Sequence, residues 1–344
     1  MIVSDTAPVR PGEELDSAAL SQYLQGKLPG DHSWVELEQF PGGHSNLTYL
    51  LRRGNEEYVL RRGPLGPVAP KAHDMAREFR ILKSVHPSFP AAPNVFVLCE
   101  DVTVLGCVFF IMERRRGEII RDIVPAQFQG VPDFQGVLSR AFIDCLATLH
   151  SVEIHTPELA ALGKPEGFLD RQVKGWTERW RRAQTTPSIG MDRLIEWLTS
   201  TIPTPLAPTL VHNDFKLDNV MFSFDKPSQV EAVLDWEMTT IGDPLVDVGL
   251  TLCYWQLGSI SSLGKETGLY NRQQFLEHYH SRTGRNLENI RWYEILGIFK
   301  LAVILQQIYF RYHQGQTKDE RFAQFDVRVA NLIESAVHLL DATA

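Results

Sequence analysis

The octapeptide His212-Asn213-Asp214-Phe215-Lys216-Leu217-Asp218-Asn219 is followed, after a short apolar run, by Asp235 in Val-Leu-Asp-Trp-Glu. Those residue types at that spacing suit phosphoryl transfer. A nucleoside triphosphate needs a divalent cation to neutralise its oxygens, and hard cations take carboxylate and amide oxygens held at fixed positions. Asn219 and Asp235 are the candidate magnesium ligands. The attacking hydroxyl needs a carboxylate that orients it and takes its proton. Asp214, five positions before Asn219, supplies one in the order H-x-D-x-x-x-x-N of kinase catalytic loops.

Positioning such a loop requires strands around it. The β-prone run Thr209–Val211 enters the loop, residues 220–224 leave it, and residues 230–234 deliver Asp235 at a strand end. His, Asp and Asn are also common in plain polar turns, so a hairpin without chemistry is the competing reading. Upstream, Gly42-Gly43-His44-Ser45-Asn46 lies between strand-like residues 34–40 and 47–52. Glycines there let backbone amides approach phosphate oxygens, and Ser45 and Asn46 add side-chain donors; the same residues also make an ordinary hairpin turn.

In the next strand, 58–62, Arg61 and Arg62 must point to opposite faces, so that one can face a nucleotide. A helix is expected over 71–85, with Met75, Phe79 and Leu82 as its apolar stripe and Glu78 on the same side. Burying an unpaired carboxylate is costly, so Glu78 is expected to meet Arg61, with Arg77 or Lys83 as surface alternatives. A strand over 104–112 ends at Glu113-Arg114-Arg115-Arg116-Gly117. This reads as a connector where an adenine could bond backbone groups near Glu113, or equally as a solvated turn.

With 344 residues, 44% hydrophobic and 22% charged, the chain can bury a large core and is expected to form two lobes. A formal net charge of -8 argues against a dedicated nucleic-acid binder. Cys99, Cys107, Cys145 and Cys253 are scattered, with no C-x-x-C, as expected of reduced thiols in a cytoplasmic protein. Met1 to Asp16 carries acids and prolines where an export signal would need a basic start and an apolar core. Residues 295–310, the longest apolar stretch, are interrupted by Lys300, Gln306 and Gln307 and read as a buried helix too short and polar to span a membrane.

Helical spacing recurs over 134–150, 192–201, 244–255, 271–280 and 292–312, which makes the second lobe mainly helical. The 292–312 helix fits the lobe's core better than an acceptor site. Asp243-Pro244 is a natural helix start and gives Asp243 a structural role. Residues 171–182 mix Arg171, Lys174, Arg179, Arg181 and Arg182 with Trp176 and Trp180. They read either as the neighbourhood of an anionic, partly apolar acceptor or as a solvated basic face with tryptophans in the core.

The chain reads Gly-Gly-His-Ser-Asn-Leu-Thr-Tyr from Gly42, Tyr-Val-Leu-Arg-Arg from Tyr58, Leu-Asp-Trp-Glu from Leu234 and Gly-Asp-Pro-Leu-Val-Asp from Gly242. In these segments it resembles the aminoglycoside phosphotransferase and choline kinase family, which shares the protein-kinase-like fold. It is most similar to the branch related to the kinase-like region attached to some acyl-CoA dehydrogenases. The resemblance implies an α+β, bilobal protein-kinase-like fold: an N-terminal antiparallel sheet with one main helix, then a larger, mostly helical C-terminal lobe. It divides the chain into an extension (1–30), a nucleotide-binding N-lobe (31–113) and a C-lobe with catalytic loop and acceptor site (114–344).

It further implies ATP and Mg2+ as cofactors and direct transfer of the terminal phosphoryl group to the hydroxyl of a small molecule. Asp214 would be the catalytic base, His212 a loop scaffold, and Asn219 and Asp235 the magnesium ligands. Gly42, Gly43, Ser45, Asn46, Arg61, Glu78 and Glu113 would serve the nucleotide, with Glu78 as partner of the phosphate-contacting cation. Asp247 would anchor the loop through backbone hydrogen bonds, or be a surface carboxylate. Lys216 matches a lysine of many protein kinases that stabilises the transferring charge, or is a surface lysine.

Two positions depart from the family pattern. Arg61 replaces a lysine, and Asn213 stands where many members have glycine; a guanidinium still binds phosphate, with a different reach. A hydroxy fatty acid or its CoA thioester suits the branch as acceptor. The alternatives are a true aminoglycoside kinase and an inactive nucleotide-binding regulatory protein, which the intact Asp214, Asn219 and Asp235 disfavour. A protein kinase is disfavoured because Asp-Phe-Gly and Ala-Pro-Glu segments are missing.

Overall fold

The computed structural model describes residues 5–29, 34–41, 46–65, 73–121, 124–257, 268–317 and 319–342. The chain divides into two compact units, residues 1–118 with 231–237 and residues 119–230 with 238–344.

In the first unit, helix α1 (Ser17–Tyr23) precedes strands β1 (Val35–Gln39), β2 (Leu47–Arg53) and β3 (Glu56–Arg62). Helix α2 (Met75–Val85), strand β4 (Val95–Cys99), the short helix α3 (Val102–Leu105) and strand β5 (Phe109–Glu113) follow. The strands form one antiparallel sheet in the order β1-β2-β3-β5-β4. Alternation along the strands sends Tyr49, Leu51, Tyr58, Leu60, Phe109 and Ile111 into a core shared with Leu20, Leu24 and Leu28. Residues 17–28 therefore belong to this core and do not stand apart as an extension. On the opposite face α2 packs, with the Phe79 ring meeting Phe110 edge-on at 6.2 Å.

Two expectations are corrected here. The 104–112 strand begins at Phe109, because the Asp101 side chain accepts from the Thr103 amide at 2.9 Å and starts the α3 turn, which Gly106 closes at φ 73°. Strand β4 was not anticipated. The expected helix start at 71 falls outside the described residues, and α2 opens at Met75, capped by Asp74.

After strand β6 (Glu118–Ile119) come helices α4 (Phe134–Leu149), α5 (Pro157–Ala160), α6 (Phe168–Ala183) and α7 (Ile189–Ser200), then strands β7 (Thr209–Val211), β8 (Val220–Phe222), β9 (Val230–Val233) and β10 (Thr240–Gly242). The chain continues through α8 (Leu245–Leu257), α9 (Arg272–Thr283), α10 (Ile290–His313) and α11 (Phe325–Asp341). Strand β7 pairs antiparallel with β10. Helix α10 is the second unit's centre, packed against α6, α7, α8 and α11. It is longer than the sequence suggested, and by length and composition it could cross a membrane, but 67% of its apolar window is buried in the protein.

Helices α8 and α10 cross at two glycines. A Cβ on Gly249 would lie 2.2 Å from the Tyr293 carbonyl oxygen, and one on Gly297 would lie 2.8 Å from that of Gly249. The two backbones touch there, and no larger residue fits.

Candidate active site

In the first unit, β3 presents Arg61 and α2 presents Glu78, while the segment after β9 brings Asp235 beside both. The Arg61 guanidinium lies 3.1 Å from Glu78 Oε2 through Nε and 2.5 Å from Asp235 Oδ1 through its terminal nitrogen. Burial pushes the Glu78 carboxyl up to about 7, against the pull of Arg61 and with help from Asp235 and Glu237. The guanidinium itself is held in its charged form by the two carboxylates despite burial.

Asp235 sits at φ 68°, a left-handed conformation that favours glycine, asparagine and aspartate. Asn46 donates to Glu237 Oε2 at 3.2 Å, and Arg77 donates to the Glu237 carbonyl rather than to Glu78. Glu113 is committed at the end of β5, where its carboxylate accepts from the Asn94 amide at 3.1 Å and meets Arg115 at 2.9 Å. Gly42, Gly43 and Ser45 lie outside the described residues.

In the second unit, the loop after β7 is hung from α8. Asp247 accepts from the His212 amide through Oδ2 and from the Asn213 amide through Oδ1, both at 2.6 Å. Its Oδ2 also lies 3.2 Å from His150 Nε2, and His150 Nδ1 is 2.8 Å from the Tyr279 hydroxyl. Burial would raise the Asp247 pKa, but His150 and His212 hold it below the ordinary value. Asp243, capping the amide of Leu245 at 2.9 Å and bonded to Tyr293 at 2.7 Å, is structural. His212 is fully buried, its Nδ1 accepting from the Asp214 amide at 3.3 Å.

The Asp214 carboxylate is gripped on both oxygens. Oδ1 accepts from the Tyr254 hydroxyl at 3.0 Å and from Lys216 Nζ at 3.1 Å. Oδ2 accepts from Lys216 Nζ at 2.8 Å and from Asn219 Nδ2 at 2.9 Å. The Asn219 amide nitrogen is thereby engaged, which leaves its carbonyl oxygen to offer a cation. Among the described residues, no three His, Cys, Asp or Glu side chains form a closed metal cage.

Tyr254 and His150 escaped the sequence reading. Asp247, Thr251 and Tyr254 lie at i, i+4 and i+7 on α8, one helical face, and that spacing was the available signal. Lys216 and Tyr254 also line a small pocket of about 30 Å3 with Phe142, Leu217, Asp218, Thr251 and Trp255. The 171–182 segment takes no part in that pocket. Helix α6 buries Trp176 and Trp180 in the core and turns Arg171, Lys174, Arg179, Arg181 and Arg182 outward.

Residues 36–291 match the model of the phosphotransferase enzyme family. The chain belongs to this family. Acyl-CoA dehydrogenase family member 10 of Mus musculus is 35% identical over 345 residues, 97% of this chain and 32% of the mouse protein. The chain spans about a third of that relative's length. A candidate aminoglycoside phosphotransferase of Ralstonia eutropha superposes with a TM-score of 0.82 at 28% identity, over 96% of this chain and 99% of that one. An aminoglycoside phosphotransferase solved as a ternary complex with streptomycin and ATP gives a TM-score of 0.57 at 19% identity, over 85% and 90% of the two chains, a likeness of fold alone. The α+β kinase-like architecture of small-molecule phosphotransferases is the architecture of this chain.

Proposed function

We propose that this phosphotransferase-family chain moves the terminal phosphoryl group of ATP directly onto a hydroxyl of a small molecule. The observation that carries this reading is Asp214: a carboxylate fixed by Asn219, Lys216 and Tyr254, two of which line a pocket. In this reading Asp214 orients the acceptor hydroxyl and takes its proton, and Lys216 stabilises charge on the moving phosphoryl group. His212 shapes the loop from within.

Asn219 offers an amide oxygen and Asp235 a carboxylate oxygen, each a hard donor of the kind that magnesium takes beside water and phosphate oxygens. Magnesium, when bound, neutralises the phosphate charge. Arg61, steadied by Glu78, is the cation for the phosphates, with Asn46 and the backbone near Glu113 serving the nucleotide. The ATP of the streptomycin complex supports the choice of nucleotide. A cytoplasmic setting, where the four free thiols stay reduced, belongs to the same reading.

The pocket favours an acceptor with an apolar portion. Its walls are mostly Phe142, Tyr254, Trp255 and Leu217, with one cation, Lys216, and one carboxylate, Asp218. A polycationic aminoglycoside finds little acid there. An anionic hydroxyacyl compound, such as a hydroxy fatty acid or its CoA thioester, suits these walls and the kinship with an acyl-CoA dehydrogenase family member.

Turnover with magnesium and ATP should be measured against hydroxy acids, hydroxyacyl-CoAs, choline and aminoglycosides, with phosphorylated hydroxyacyl product expected. Asp214→Ala should reduce turnover at least about a thousandfold while ATP affinity stays within about threefold. Asp235→Ala should weaken magnesium–ATP binding instead. ATP binding without transfer to any acceptor would favour the regulatory alternative, and full activity of Asp214→Ala would refute the assignment.

A further inference from the structure

Lys300 stands mid-way along α10 with 1% of its surface exposed. Its ammonium donates to the Asn213 amide oxygen at 3.1 Å. Among the described residues no carboxylate lies within ion-pair distance of it; the charged groups that act on it are Asp247 and Asp214, which favour its charge, and Arg179, which opposes it. The Trp176 ring lies 5.6 Å away. An ammonium buried without an ion pair is costly, and an apolar side chain would fill the same space at less cost. Packing gives no reason for lysine here.

Asn213 supplies one. It immediately precedes Asp214 and holds φ 66°, a left-handed conformation that most L residues adopt only under strain. Three of its polar groups hold Asn213 there. Its amide donates to Asp247, its side-chain nitrogen donates to the Met238 carbonyl at 3.1 Å, and its side-chain oxygen accepts from Lys300. Glycine would reach this φ without help, whereas asparagine brings a buried amide that must be satisfied.

We propose that Lys300 is a positioning residue, whose ammonium locks Asn213 in the left-handed conformation and thereby sets the direction of the Asp214 carboxylate. Its chemical consequence rests on the phosphotransferase reading; its structural consequence does not.

The test uses the full chain and two independent readouts. In Lys300→Met, hydrogen exchange at the Asn213 and Asp214 amides should accelerate about tenfold or more, with the sheet of the first unit unchanged. With the best acceptor from the panel, kcat should fall about tenfold or more while KM for magnesium–ATP stays within about threefold. In an Asn213→Gly background, which lacks the amide that Lys300 grips, adding Lys300→Met should change kcat less than about twofold. A merely structural lysine predicts equal losses in both backgrounds. Unchanged loop exchange, or equal losses, would overturn the proposal. Should Lys300→Met fail to fold, Lys300→Leu, which likewise carries no donor, serves the same comparisons. If no acceptor is phosphorylated, the phosphotransferase reading falls, and the exchange measurement still decides the positioning role.

Discussion

At the scale of single residues, Asp214 is both well oriented and over-bonded. With donors on each oxygen, it can accept a proton only when one donor gives way to the acceptor hydroxyl, and of the three donors Lys216 has the longest side chain. Tyr254 is fixed on α8, and burial together with Asp214 keeps its hydroxyl far above its ordinary pKa, so it remains a neutral donor. Tyr254→Phe should therefore lower kcat about three- to tenfold, leave KM for ATP unchanged, and reduce stability by about 1 kcal/mol. Steady-state kinetics with denaturant unfolding would check this; an unaltered kcat would reduce Tyr254 to packing. Asp214, Lys216 and Asn219 were legible because they share one short run. Tyr254 was not, because it arrives from 40 residues away and a helical tyrosine usually marks only core.

At the scale of elements, α8 measures out the loop. Asp247 holds the amides of His212 and Asn213, and Thr251 donates to the Phe215 carbonyl at 2.8 Å, so loop and helix are fastened along one face. Gly249 fixes the height of that helix against α10 by backbone contact. Gly249→Ala should force the two helices apart, lowering stability by about 2–4 kcal/mol and kcat with it. Gly175→Ala, in α6, where an added Cβ meets nothing within 4 Å, should instead stabilise by about 0.5–1 kcal/mol. Paired unfolding curves would reveal whether the sign reverses between the two sites. Helices were expected where α2, α4, α7, α8, α9 and α10 lie, and the apolar stripe is clear in α2, whereas α10 is apolar nearly all round because it is the buried centre of its unit. The start of β5 was misjudged because a single side-chain cap, Asp101, turned an apolar run into a helical turn, and α11 was passed over.

At the scale of the whole molecule, what the sequence could not reveal is where distant segments return. Residues 231–237 rejoin the first unit, where the Val233 amide bonds the Ala91 carbonyl at 2.8 Å and Trp236 packs on Phe89; this brings Asp235 to Arg61. Composition predicts two bodies but not such a crossing. Nor does a net charge of -8 disclose the cation kept in the second unit's core. Burial lowers the Lys300 pKa from 10.5 to about 8. Below pH 8 the folded chain carries the full penalty of that buried charge. Between pH 8 and 10.5 the unfolded chain still holds a proton that the folded chain has released, so stability rises with pH across this window. Replacing the amine with Lys300→Met removes the dependence. The stability of the natural chain relative to the variant should be level below about pH 7 and then rise by an amount on the order of 3 kcal/mol towards pH 10.5. Denaturant unfolding of both chains at a series of pH values measures that difference, and a level line throughout would mean that Lys300 titrates as it does in water.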